Sequence, residues 1–207
     1  MKITQIAGFL GCGKTTLLLR LSKQLASDGK TKVAMVVNEI GEIPVDGKIM
    51  EESGMRVKDI GGGCICCEVA ATFTKTVYSL YKDFGPDHVL VEPTGVAVPS
   101  QVKQAVRMSG RDSAIELGPA VVLFDATRPA ELLDMDMLGR LVVTQVKDAD
   151  VLAISKADIA KHQDLKTAAQ KVAEFNSRAE IFEVSSFTGQ GFDRLTDIIL
   201  QWKDGAK

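Results

Sequence analysis

Apolar runs alternate with amphipathic stretches from one end of the chain to the other. Ile3–Ala7, Lys32–Val37, His88–Glu92, Ala120–Asp125, Val151–Ser155 and Glu180–Val184 are short and mostly β-branched or aliphatic. Runs of that length without strict polar alternation fit strands covered on both faces, as in a parallel sheet. Between them lie helical patterns at Thr15–Ala26, Val69–Tyr81, Pro99–Ser109, Met135–Lys147, Asp164–Phe175 and Gly191–Trp202. In the first, Leu17, Leu18, Leu21 and Leu25 recur at helical spacing, and Asp28 and Gly29 end it. The alternation predicts an α/β domain with a doubly wound, mostly parallel sheet. Ligands of such sheets bind beyond the carboxyl ends of the strands, so the residues just after each strand are the ones to inspect.

One stretch breaks the alternation. From Asn38 to Gly63 the chain is punctuated by Gly41, Gly47, Gly54 and the run Gly61, Gly62, Gly63, with only a short strand pattern at Arg56–Ile60. A long glycine-rich connection in a compact domain is more often functional than structural. Residues 38–67 therefore read as a switch and metal-motif insertion within a single domain spanning 1–207.

Composition removes several classes. The 207 residues are 45% hydrophobic and 25% charged, as in ordinary globular domains. Lys and Arg number 25 against 27 Asp and Glu, which argues against a nucleic-acid surface, and 5% aromatic residues argue against base-stacking platforms for single strands. No run reaches the roughly 18 apolar residues that span a bilayer, so no membrane partner is expected. The N-terminal apolar run leads into glycines and Lys14 instead of a cleavage site, and reads as a buried strand of a cytoplasmic protein.

The first strand and first helix are joined by Gly8, Phe9, Leu10, Gly11, Cys12, Gly13, Lys14 and Thr15, the pattern G-x-x-x-x-G-K-[ST]. Glycines at these positions let the backbone wrap a phosphate chain, and the N–H groups with the helix N-terminus hold its charge. Lys14 is expected to reach the β- and γ-phosphates and the Thr15 hydroxyl to ligate Mg²⁺. Gly8, Gly11, Cys12, Gly13 and Thr16 complete the expected phosphate-binding set, with the Cys12 thiol read as filler. Ser155, Lys156, Ala157 and Asp158 follow a strand where many GTPases carry Asn-Lys-x-Asp. An Asp here can accept from N1–H and the 2-amino group of guanine, a pair that adenine lacks, while a lysine stem can lie over the base. Taken alone the same four residues could equally form a helix N-cap, but their place after a strand in a chain with a phosphate loop favours the guanine reading. After the last strand, Ser185 and the residues up to Gly189 are candidates for the base edge. Glu92 and Gly95 end another strand, placing a carboxylate for water-mediated Mg²⁺ binding and an N–H for the γ-phosphate; an acidic strand end with a turn is the plainer alternative.

Cys64, Cys66 and Cys67 crowd into four residues after the glycine run. Three thiolates make a soft site suited to Zn²⁺, Cu⁺ or related ions, and Ni²⁺ or Co²⁺ are further candidates for the cargo. Water, Glu42 or a side chain from another subunit could supply a fourth ligand. Buried small side chains and a thiol–disulfide couple are the alternatives. The two histidines, His88 and His162, lack ligand spacing.

Taken in order, Gly8 to Thr16, the segment Val37 to Asp46 and the segment Gly63 to Cys67 resemble the CobW-type GTPases, relatives of HypB and UreG. The resemblance covers residue 1 to about 200. It implies a SIMIBI-like P-loop fold and a metal-dependent GTPase that delivers metal to a client metalloprotein or assists metallocentre assembly in an apo-enzyme. Carried over by motif, Glu39 and Glu42 fall in the first switch, Glu92 and Gly95 in the second, and the cysteines in the metal motif. No water-positioning glutamine is evident, so Lys14 with Glu39 or Glu42 is the expected catalytic set. Hydrolysis should be slow until a partner, or a nucleotide- or metal-dependent homodimer, assists. The chain departs from the family pattern at Pro93 and Ser155. An assembly factor that carries no metal is the alternative function. A small-molecule kinase is disfavoured by the scattered Arg107, Arg111, Arg128 and Arg140.

Overall fold

The computed structural model describes residues 1–37, 55–59, 68–109, 115–128, 133 and 137–203. Strands β1 (Lys2–Gly8), β2 (Val33–Val37), β3 (Met55–Asp59), β4 (His88–Glu92), β5 (Glu116–Asp125), β6 (Val151–Ser155) and β7 (Glu180–Glu183) form one sheet. Its order is β3-β2-β4-β1-β5-β6-β7, and every pairing is parallel. The helices are α1 (Lys14–Leu25), α2 (Glu68–Asp83), α3 (Pro99–Ser109), α4 (Met137–Asp148), α5 (His162–Phe175) and α6 (Phe192–Gln201).

Both faces of the sheet are buried, which is why its strands read as continuous apolar runs. Along β2, Val33, Met35 and Val37 pack with α1 on one face, whereas Ala34 and Val36 pack with Phe73 of α2 and Val102 of α3 on the other. Along β6, Val151 and Ala153 share the α1 face with Leu195 and Ile199 of α6, and Leu152 and Ile154 meet α4 and α5. β1 lies at the centre, so the loop that follows it opens where the chain turns from one half of the sheet to the other. That is the expected ligand position in an open α/β sheet.

The strand expected at Ala120–Asp125 begins earlier, at Glu116, and runs through Gly118 and Pro119. A proline inside a central strand removes a ladder hydrogen bond. Here a bulge absorbs it: Ile3 pairs with Leu117 and Gln5 with Ala120, and pairing with β6 starts only at Val121. Gly118 lies so close to β1 that a Cβ would sit 2.4 Å from the Thr4 hydroxyl.

The two ends of the chain are tied by one side chain. The Lys2 ammonium donates to the carbonyls of Ile199, Leu200 and Trp202 at 3.1, 3.0 and 3.0 Å, capping the C-terminus of α6. A cation at that end also complements the helix dipole. Lys2→Met keeps the apolar stem and deletes the donors. Urea unfolding of the variant should show a stability loss of about 1–2 kcal/mol with an unchanged m value; an unshifted midpoint would mean that the cap carries no stability.

Candidate functional site

The carboxyl ends of β1 and β4 frame a cleft of about 430 Å³, lined by Leu10, Gly11, Lys14 and Thr15 on one side and the turn Glu92–Val96 on the other. The β1–α1 loop forms its floor. Lys14 is buried and donates to the Phe9 carbonyl at 3.3 Å, and Phe9 also accepts from the Cys12 N–H. The Thr15 hydroxyl donates to Glu92 Oε1 at 2.8 Å, so the two expected Mg²⁺-side groups, 77 residues apart in sequence, meet at one point. Gly95 packs against the loop: a Cβ there would lie 2.9 Å from Leu10 side-chain atoms and 3.1 Å from its nitrogen. A side chain at residue 95 would displace the exposed Leu10 side chain and crowd the Leu10 nitrogen. Gly8 is held equally close, since a Cβ would come 2.5 Å from the Leu123 carbonyl and its φ of +136° disfavours one.

The carbonyls of Leu10, Cys12 and Gly13 are turned outward. Arg128 Nη2 donates to Leu10 O at 2.5 Å, Ser155 Oγ donates to Cys12 O at 2.9 Å, and the Gly13 carbonyl accepts the Leu17 N–H at 3.0 Å. In a trans peptide the N–H points opposite to the C=O. The amides of Gly11 and Gly13 are therefore directed away from these partners, as an anion cradle requires. The serine that replaces the usual asparagine thus keeps a contact to the loop, and Ser155 Oγ also reaches Phe124 O at 3.3 Å. Cys12 is buried, and burial pushes its thiol pKa up against the lowering effect of Lys14, so the side chain is a neutral filler. Thr16 is exposed at the start of α1.

Beyond β6 and β7, two loops lock together. Ser185 Oγ donates to Asp158 Oδ1 at 2.6 Å and accepts the N–H groups of Phe187 and Thr188. The Ala157 N–H donates to the Val184 carbonyl at 3.2 Å. Lys156 has φ +62° and forms an ion pair with Asp125 Oδ2 at 2.7 Å.

Asp125, Arg128 and Gln145 did not stand out in the sequence. Asp125 ends β5 and could have been found by the rule that strand ends matter. It is 5% exposed, pairs with Lys156 and with Arg128 Nε at 3.3 Å, and accepts from the Thr127 hydroxyl at 2.7 Å. Burial alone would raise its pKa, but the Lys156 and Thr127 donors outweigh that and hold it below the ordinary carboxylate value. Arg128 also covers the Phe9 ring, 5.4 Å from its centroid, and nothing local in the sequence marks it. Gln145 is a polar residue on the inward stripe of α4, a readable signal; it donates to the carbonyls of Gly95 and Ala97 at 3.0 and 2.9 Å and fixes the β4 turn.

Glu39, Glu42, Cys64, Cys66 and Cys67 lie outside the described residues. Among the described residues, no group of three or more His, Cys, Asp or Glu side chains could hold a metal ion. No described helix is long and apolar enough to cross a membrane.

Comparison with known families settles the lineage. The family model described as CobW/HypB/UreG, nucleotide-binding domain, matches residues 2–183. The chain belongs to the CobW/HypB/UreG family. It is similar to the zinc chaperone YeiR of Escherichia coli (strain K12), with 34% identity over 154 residues, covering 74% of this chain and 45% of that protein. A second relative is the zinc-regulated GTPase metalloprotein activator 1 of Schizosaccharomyces pombe (strain 972 / ATCC 24843), 29% identical over 211 residues that cover 95% of this chain and 47% of that one. The chain spans about half the length of these relatives. The fold matches that of HypB from Helicobacter pylori in complex with nickel, with a TM-score of 0.64 and 19% identity over 96% of this chain and 85% of that one.

The position of Asp125 makes a pH-dependent prediction. A carboxyl whose folded pKa is depressed contributes stability that is complete above its unfolded value, about 3.9, and is lost as pH falls through the folded value. Asp125→Asn should lower unfolding free energy at pH 7 by about 1–2 kcal/mol, because Lys156 and Arg128 are part-exposed and can rehydrate. The gap to wild type should narrow below about pH 3.9. A gap that stays constant into acid would assign the loss to packing.

Proposed function

We propose that this chain is a GTP-binding and GTP-hydrolysing protein that delivers a metal ion, zinc in the first instance, or assists metallocentre assembly in a client metalloprotein. The observations that carry the reading are the Thr15–Glu92 pair and buried Lys14 at the end read as the phosphate site, and Asp158 held by Ser185 beyond β6 and β7 at the end read as the base site. The names of YeiR and the metalloprotein activator support the metal-linked role.

Each residue has a part in that reading. The amides of the Gly8–Thr16 loop cradle the phosphates. Lys14 leaves the Phe9 carbonyl to meet the β- and γ-phosphate oxygens. Thr15 and Glu92 would hold Mg²⁺, directly and through water, and the ion would neutralise charge developing on the transferred phosphoryl group. Gly95 offers its N–H to the γ-phosphate. Asp158 accepts from the guanine edge, Lys156 lays its stem over the base, and Ser155 and Ser185 hold the two loops in place. Glu39 or Glu42 orients the attacking water. Cys64, Cys66 and Cys67, with Glu42 as a candidate fourth ligand, take the cargo metal, and a GTP-dependent change in the 38–67 segment reaches Cys64 by a short covalent path.

Two measurements test these assignments. Guanine donates two hydrogens to Asp158, whereas xanthine presents an acceptor at the 2-position. Asp158→Asn should therefore weaken GTP binding by about 1.5–3 kcal/mol while xanthosine triphosphate binding improves. An unchanged ratio of the two affinities would place base selection elsewhere. For the metal, the wild type should bind about one Zn²⁺ per chain, less tightly as pH falls because thiols must deprotonate, and the triple change of Cys64, Cys66 and Cys67 to Ser should abolish it. Zinc affinity should differ about 5- to 150-fold between GDP- and GTP-analogue-bound protein. Equal affinities would make the cysteines an independent clip.

A further inference from the structure

We propose that the Phe187 ring is a stacking surface for the purine base of the bound nucleotide, displayed in place by Arg20 of the phosphate-loop helix. The proposal rests on the reading of Asp158 as the residue that meets the base edge. Phe187 is 86% exposed, more than any other large apolar side chain among the described residues. A lone exposed phenylalanine on a loose loop needs no explanation. This one stands on a loop whose backbone is held throughout. Arg20 Nη1 donates to the carbonyls of Ser186 and Phe187 at 2.9 and 2.7 Å, and Ser185 Oγ accepts the N–H groups of Phe187 and Thr188 at 3.2 and 3.0 Å. The Gly189 N–H closes the turn on Ser185 O at 2.9 Å, and the Ser185 N–H donates to Gln190 O at 3.1 Å. The guanidinium of Arg20 is itself seated over the Phe192 ring, 5.1 Å from the centroid.

The same hydroxyl that anchors this loop anchors Asp158. The aromatic ring is thus two residues from the group that holds the base-reading carboxylate, on backbone that loses little freedom when a ligand arrives. A purine has hydrogen-bonding edges and apolar faces. Asp158 serves an edge and the Lys156 stem, tethered by Asp125, can cover one face; Phe187 offers a second apolar plane from the adjoining loop. Base–aromatic stacking tolerates any base, because every base has a π face. Phe187 should therefore add affinity without adding guanine preference.

Calorimetric titration of the full chain with guanosine and xanthosine diphosphates separates the contributions. Phe187→Ala removes an exposed ring and leaves the core intact. It should weaken both diphosphates by the same factor, about 5- to 150-fold, with their ratio unchanged. Phe187→Trp should restore affinity, and its indole emission should fall on nucleotide addition beyond any change in the wild-type Trp202 signal. Wild-type affinity in Phe187→Ala would overturn the proposal, as would a Phe187→Trp emission that ignores nucleotide, or a defect confined to turnover with a protein partner. Asp158→Asn, run in parallel, tells the two readings apart. If it exchanges guanine for xanthine preference while Phe187→Ala binds normally, only stacking fails; if it changes no preference, the base reading fails first.

Discussion

A loop that receives anions on its amides must dispose of its carbonyls elsewhere, and the arrangement around the β1–α1 loop follows from that constraint. Buried peptide groups left unpaired are costly, so each outward carbonyl recruits a donor. Phe9 is satisfied from within by the Cys12 amide and Lys14, and Gly13 by the first turn of α1. The buried Cys12 carbonyl needs a partner from far away and finds Ser155 at the end of β6, while the exposed Leu10 carbonyl is met by Arg128 beyond β5. The central position of β1 makes this feasible, because β5 is its hydrogen-bonded neighbour and β6 lies one strand further along. The sheet order therefore does more than bury apolar surface; it delivers the donors that set the direction of the loop amides.

Charge is distributed with the same economy. Asp125 faces Arg128, which holds the β1–α1 loop, and Lys156, which follows β6. One buried carboxylate thus orients two cations from different loops, and Thr127 consumes its other oxygen. Lys156 holds a left-handed backbone conformation that a side chain makes unfavourable. Such conformations persist where the surroundings over-determine them, and the ion pair to Asp125 with the Ala157–Val184 hydrogen bond supplies that determination.

What could be read from the sequence was local or periodic. Strands buried on both faces announce themselves as apolar runs, the phosphate loop has a fixed spacing between a strand and a helix, and Ser155–Asp158 sits at a strand end. Observed helix bounds fall within two residues of those expected from periodicity. The strand end at Asp125 and the polar Gln145 inside an apolar stripe were legible by the same rules and passed over. Pro119 misled because a bulge, which depends on the partner strand, decides whether a proline is tolerated. Arg128 to Leu10 spans 118 residues and Lys2 to Trp202 spans 200. Side chain to carbonyl contacts across such separations leave no periodic trace, since any cation of sufficient reach could make them.

Helix α1 joins the two ends of the site mechanically. Its first turn carries Lys14 and Thr15, and Arg20, between one and two turns later, reaches back to the loop that anchors Asp158. Its apolar stripe, Leu17, Leu18 and Leu21, is fully buried against the sheet, so the helix has little freedom to tilt. The Lys14–Thr15 end of the helix and the Ser185 loop are therefore tied to one buried element. The β4 turn attaches through side chains and a close approach: Glu92 accepts from the Thr15 hydroxyl, Gly95 sits against Leu10, and Gln145 of α4 donates to the carbonyls of Gly95 and Ala97.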